Sequence, residues 1–181
     1  MESPYDLIGP MPPVSPVVLS VPHAGRDYPL ALRAAARVPI TALVGLEDRY
    51  VDAVALAARS DETLIVQQVA RAWIDLNRAE HDRDPRLDEG APAGHLSAKV
   101  RSGLGLVPRR TSAAGELWRH RLSGDEVAAR IRGAHRPYHE MLGEALAAGG
   151  CADCAGPCEA ACPYGVPVQA KLLASHERLT P

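Results

Sequence analysis

Two short segments hold most of the residues able to do chemistry. In the first, Pro22-His23-Ala24-Gly25 follows the apolar run Pro16 to Val21, and an acidic cluster of Glu47, Asp48 and Asp52 comes one helix hairpin later. A neutral imidazole with a carboxylate is the usual nitrogen–oxygen ligand set for Zn²⁺, with water in the open position. The proline restricts the backbone before His23 and the glycine leaves room after it. A lone histidine in such a turn is more often structural or merely exposed than a ligand. The second segment runs from Arg71 to Arg78, Arg-Ala-Trp-Ile-Asp-Leu-Asn-Arg. Arginine offers a planar fork that clamps a carboxylate, so Arg71 and Arg78 suit a small dicarboxylate. An ion pair of Asp75 with either arginine explains the same residues. Further on, His135-Arg136-Pro137-Tyr138-His139 places two histidines one helical turn apart. Pro137 is expected to disturb that register, which argues against a His–His metal pair. Tyr138 and His139 are left to line a pocket or to pack a helix.

These residues need strands and helices to position them. Pro16 to Val21 reads as a short strand buried on both faces, with His23 at its carboxyl end, where ligands gather in open α/β sheets. Leu30 to Arg37 suits a short helix. Asp48 to Ala58 reads as an amphipathic helix with Val51, Val54, Ala55 and Ala58 on its apolar stripe. Thr63 to Val69 reads as a second strand and Ala72 to Asn77 as a third segment of strand character, with Asp75 and Asn77 on one face. Residues 79–96 are charged and rich in proline and glycine, so they read as a long surface loop. Ser123 caps a helix that Pro137 should kink or restart, and Tyr138 to Ala148 continues it. The order of elements favours an α/β layered fold.

Composition sets the outer limits. The chain has 181 residues, of which 46% are hydrophobic and 23% charged, and carries a net charge of −2. That describes a globular protein rather than a disordered one, without the basic surface that nucleic acid requires. No apolar run is long enough to span a bilayer, and no positive segment precedes an apolar stretch at the N-terminus. A cytoplasmic location is expected, with no membrane and no nucleic-acid partner. Phenylalanine is absent, so Leu, Val, Ile and Ala must fill the core with two Trp and five Tyr.

The cysteines divide the chain. None occurs before residue 151, and then Cys151, Cys154, Cys158 and Cys162 fall together before Pro163. The spacing is close to the bacterial ferredoxin run with one residue added. It could hold a [4Fe–4S] cluster or Zn²⁺, or stay unliganded. Three segments are expected: an extended lead-in over 1–13, an α/β domain over 14–148 and a Cys-rich tail over 149–181.

Taken in order, Pro22-His23-Ala24-Gly25, the acidic segment Glu47 to Asp52, Arg71 through Arg78, and Arg136-Pro137-Tyr138-His139 resemble the motifs of the N-formylglutamate amidohydrolase family. The resemblance implies a three-layer mixed sheet flanked by helices, similar to the zinc exopeptidases (phosphorylase/hydrolase-like). It also implies hydrolysis of the C–N bond in N-formyl-L-glutamate or a similar N-acyl amino acid, a step of histidine degradation. By position, His23 and Asp48 would be zinc ligands, and Arg71, Asn77, Arg78 and His139 would contact substrate. Family members carry a later Asp-x-His-Ser motif that supplies a third ligand and the general base, and this chain has none. The expectation is a fold incomplete at the C-terminus and hydrolysis that is weak or absent. The alternative is a small Fe–S or zinc-binding redox or interaction protein built on a hydrolase-like body.

Overall fold

The structure, a computed structural model, describes residues 3–15 and 17–148. The Cys-rich segment therefore lies outside the described residues. The strand β1 (Tyr5–Ile8) comes first, within what reads in sequence as an extended lead-in, and β2 (Val18–Val21) follows. Next come α1 (Leu30–Ala35), α2 (Ile40–Leu43), a 3₁₀ turn at Val44–Leu46, α3 (Val51–Ala58) and β3 (Thr63–Gln67). The sheet order is β1-β3-β2, with β1 antiparallel and β2 parallel to β3. All five residues of β3 are buried, as a central strand requires.

Alternation along β3 sends its side chains to two faces. Leu64 and Val66 pack with Val21, Ala24 and Ala55 of α3 on one side. Ile65 belongs to the larger core with Leu32, Leu43, Ile74, Leu106, Leu117, Leu122 and Tyr138 on the other. Helices thus cover both faces of a small mixed sheet, an α/β arrangement. A short helix α4 (Ala98–Arg101) and a two-stranded hairpin, β4 (Arg110–Thr111) with β5 (Gly115–Glu116), lead to α5 (Gly124–Arg130). Ser123 and Glu126 close a reciprocal capping box at the start of α5.

Pro137 does not break the last helix. A wider π-type turn over Ile131–His135 precedes α6 (Arg136–Ala148), and the Arg136 N–H reaches back to the Ile131 carbonyl. The widened turn accommodates the proline ring in the first turn of α6, where its missing N–H is tolerated. Tyr138 then sits under the sheet, its hydroxyl 2.9 Å from Ser20 Oγ and donating to the Ile65 carbonyl at 3.3 Å.

Three expectations need correction. Ala72 to Asn77 is a turn segment and not a strand: the Asp75 carboxylate accepts from the Asn77 N–H, and Arg78 N–H closes onto the Asp75 carbonyl. Side chain and backbone compete for the same bonds, and the turn wins. Residues 79–96 do not simply skirt the surface, because Leu87, Asp84 and Asp88 are buried. Arg109 holds Asp84 at 2.7 Å, and Arg83 holds Asp88. Finally, α3 begins at Val51, because Tyr50 before it takes a left-handed backbone (φ 67°). Its stripe does not face the core: Val51 and Val54 are exposed and Ala55 alone packs against the buried sheet residues.

Candidate active site

β2 and β3 run parallel, so their carboxyl ends open at the same edge, and the polar cluster forms there. Gly25 permits the approach: a Cβ on it would lie 2.3 Å from the Val69 carbonyl oxygen and 2.6 Å from that of Gln68. Asp27 N–H donates to the Gln68 carbonyl and Ala70 N–H to that of Asp27, which fastens the two strand exits together. His23 is thereby delivered, nearly fully buried, to the residues that follow β3.

The imidazole lies between two carboxylates. Nε2 is 2.9 Å from Asp75 Oδ1, and Nδ1 is 3.4 Å from Asp48 Oδ2. Asp75 is fully buried. Burial by itself would raise its carboxyl, but the His23 hydrogen bond and the Arg71 charge outweigh that and hold it below the usual carboxylate range. An ionised Asp75 only accepts, so His23 Nε2 carries the proton and donates. Nδ1 then turns toward Asp48, which also only accepts. Two acceptors 3.4 Å apart call for a proton or a cation between them. The backbone fixes the pair further, with Asp48 N–H donating to the His23 carbonyl at 2.9 Å. Asp48 is half-exposed and therefore accessible from solvent.

Arg71 donates from Nε to Asp75 Oδ2 at 2.9 Å, with Nη2 at 2.8 Å from the same oxygen. Arg78 approaches that oxygen only to 3.6 Å. The ion-pair reading of Asp75 and Arg71 thus holds, in a buried setting rather than at the surface. Asn77 is exposed beside the turn. His139 is buried behind it, with Nε2 2.9 Å from the Leu76 carbonyl oxygen, and His135 Nε2 lies 2.8 Å from that of Arg78. The two ring centroids lie 4.5 Å apart, tilted at 47°, so Pro137 does not separate them as the sequence suggests. Both grip the backbone that carries Asp75, Asn77 and Arg78. Burial pushes the His135 pKa down, which keeps that ring neutral.

Glu47 takes no part in the cluster. Its buried carboxylate accepts from the Tyr28 hydroxyl and from Arg49 Nε. Asp52 pairs with Arg26 at 2.7 and 2.9 Å. Of the three acids near residue 50, only Asp48 meets His23.

A sequence profile described as N-formylglutamate amidohydrolase matches residues 15–152. The chain belongs to the N-formylglutamate amidohydrolase family. The solved structure of N-formylglutamate amidohydrolase from Ralstonia eutropha JMP134 is similar, with 35% identity and a TM-score of 0.73. The similarity covers 82% of this chain and 54% of that one, so the chain spans about half the length of that relative. No curated protein matches significantly. Within this amidohydrolase family frame, His23, Asp48, Arg71 and Arg78 come to one place around Asp75. Sequence reasoning gave Asp75 only an ion pair with Arg71 or Arg78 and missed its bond to His23. Its signal was present in an Asp-x-Asn turn with arginines four residues before and three after. No helix among the described residues is long and apolar enough to cross a membrane.

Proposed function

We propose that the chain forms the metal- and substrate-binding half of an amidohydrolase site that cleaves N-formyl-L-glutamate or a related N-acyl amino acid. The fold would be an incomplete form of the zinc-exopeptidase-like three-layer arrangement. The observation that carries this reading is the gap between His23 Nδ1 and Asp48 Oδ2. At 3.4 Å it is close to the edge of a tetrahedron with metal–ligand bonds of about 2.0–2.1 Å, roughly 3.3 Å. Asp75, on the other ring nitrogen, completes the carboxylate–histidine pairing that orients zinc-bound imidazoles. These two donors would suit a Zn²⁺ ion that a third donor completes. Bound there, the ion would polarise the acyl carbonyl and lower the pKa of its water to about 7.

The chain's own residues do the rest. Asp75 keeps the His23 proton on Nε2 and leaves Nδ1 as a ligand atom. Arg71, anchored through Nε and Nη2, presents its remaining Nη1 as a fixed donor for a substrate carboxylate. His135 and His139 hold the Asp75–Arg78 turn so that these groups keep their spacing. Among the described residues no group of three metal-donor side chains is brought together. A hydrolytic zinc site ordinarily takes three, so the reading requires a third donor and a proton-transfer group from outside them. No observation among the described residues favours the redox alternative built on Cys151, Cys154, Cys158 and Cys162.

Cobalt titration followed by visible absorbance tests the metal site, and a formate-release assay on the zinc-loaded chain tests the chemistry. The expected result is metal binding that His23→Ala removes, with formate release far slower than by a full-length relative. Unchanged metal binding by the variant overturns the site. Turnover equal to the relative's shows that a third donor is already in place.

A further inference from the structure

A cleft of about 450 Å³ opens beside the His23 cluster, lined by Leu46, Arg71, Ser102, Arg110, Thr111 and Ser112 among others. It touches the cluster twice, because Arg71 is bonded to Asp75 and Leu46 stands two residues before Asp48. None of its lining residues is acidic. Two other clefts differ. In the one lined by Glu80, Arg83 and Arg136, arginine meets carboxylate at the Arg136–Glu80 pair, and in the one lined by Asp84, Arg101 and Arg109 at the Arg109–Asp84 pair. Here Arg71 has Asp75 as a partial counter-charge, and the Arg110 side chain forms no hydrogen bond or ion pair with any described residue.

The placement of Arg110 is built into the backbone. Gly103 takes φ +87°, and a Cβ on it would fall 2.3 Å from Arg110 Cγ and 3.0 Å from Cδ. The arginine stem therefore lies in the notch that the missing side chain leaves. Gly103 also accepts at its carbonyl from the Arg109 N–H at 2.8 Å and the Arg110 N–H at 3.3 Å. Thr111 ends β4 and Ser112 follows it into the hairpin turn, and Ser102, whose hydroxyl donates to the Lys99 carbonyl, also lines the cleft.

We propose that Arg110 reads the side-chain carboxylate of an acidic N-acyl amino acid and so sets the specificity of the site. Arg71, one hydrogen bond from the partner of His23, takes the α-carboxylate, which is next to the bond to be cleaved. Arg110, further along the cleft, meets the distal carboxylate. The inference rests on the function proposed above for the identity of the ligand. Its geometry is independent of the metal.

The test is calorimetric titration of the metal-free chain with N-formyl-L-glutamate and with its neutral isostere N-formyl-L-glutamine. The wild-type chain should prefer the glutamate compound by about tenfold or more, the scale of a lost charge-assisted hydrogen bond. Arg110→Gln should erase the preference and leave binding of the glutamine compound nearly unchanged, while Arg110→Lys retains part of it. Arg110 is exposed, so neither change threatens folding. An equal preference in wild type and Arg110→Gln, or none in wild type, overturns the proposal. Metal binding left unchanged by His23→Ala would bring down the hydrolase-site reading and leave these binding results standing. Formate release with an unchanged glutamate-to-glutamine ratio in Arg110→Gln would bring down this proposal alone.

Discussion

Replacing Asp75 by Asn removes one charge and keeps the shape. The carboxylate accepts from His23 Nε2 and Asn77 N–H on Oδ1 and from two Arg71 nitrogens on Oδ2, all within 2.9 Å. An amide has one accepting oxygen, so its NH₂ must face either the arginine or the imidazole N–H, donor against donor. Removing one partner of a buried pair costs about 3–5 kcal/mol. Arg71 keeps some contact with water (18% exposed) and Asn keeps one acceptor, so the expected loss is at the lower end, about 3 kcal/mol. That corresponds to a fall in melting temperature of roughly 6–12 °C. The pH dependence follows from the depressed pKa. Asp75 is lowered in the folded state, so its stabilisation is present above the unfolded value of about 3.9 and is lost as pH falls through the folded value. Urea denaturation followed by circular dichroism should therefore find wild type and variant separated at neutral pH and converging in strong acid. A difference under about 0.5 kcal/mol at pH 7, or one that persists unchanged at about pH 2, would refute the electrostatic account of this cluster.

Four other outcomes are expected. The lowered pKa of His135 means the unfolded chain takes up its proton first, so stability should decline as pH drops below about 6.5. His135→Asn should flatten that decline in urea titrations between pH 7 and 5. Gly25→Ala should cost upwards of about 3 kcal/mol or prevent folding, since its Cβ would meet backbone oxygens that cannot yield; thermal melts decide it. Arg130 is buried between Trp73 and Trp118, at 3.9 and 5.0 Å, with its pKa pushed down to about 10 by burial. Arg130→Met should be nearly neutral where Arg130→Ala costs about 2–4 kcal/mol, as read from denaturation monitored by tryptophan fluorescence. The buried Gln67 amide has no hydrogen-bond partner in the described structure, so Gln67→Leu should stabilise the chain by about 1 kcal/mol, and a clear loss would show that the amide is paired.

Local chemistry determined a good part of this protein. The β-branched run before Pro22, the glycine at 25 and the capping residues at 123–126 each dictate a conformation within a few residues, so strand, turn and helix start are legible in sequence. Motif order likewise marked His23, Asp48, Arg71 and Arg78, because substrate and metal chemistry restrict which residue types can serve. Tertiary structure decided the rest. That Asp48 rather than Glu47 or Asp52 meets His23 depends on Tyr28 and neighbouring Arg49 claiming Glu47, and on Arg26 claiming Asp52 from twenty-six residues away. That 72–77 is a turn depends on the Asp75 carboxylate out-competing a sheet partner that is not there among the described residues. The histidines at 135 and 139 serve the turn because a π-type turn and a proline rotate their helix beneath it, a register set by packing under β3 and not by periodicity. Ion pairs and carbonyl contacts between residues fifty or more positions apart leave no local trace, because the chain brings those partners together only when the core has closed.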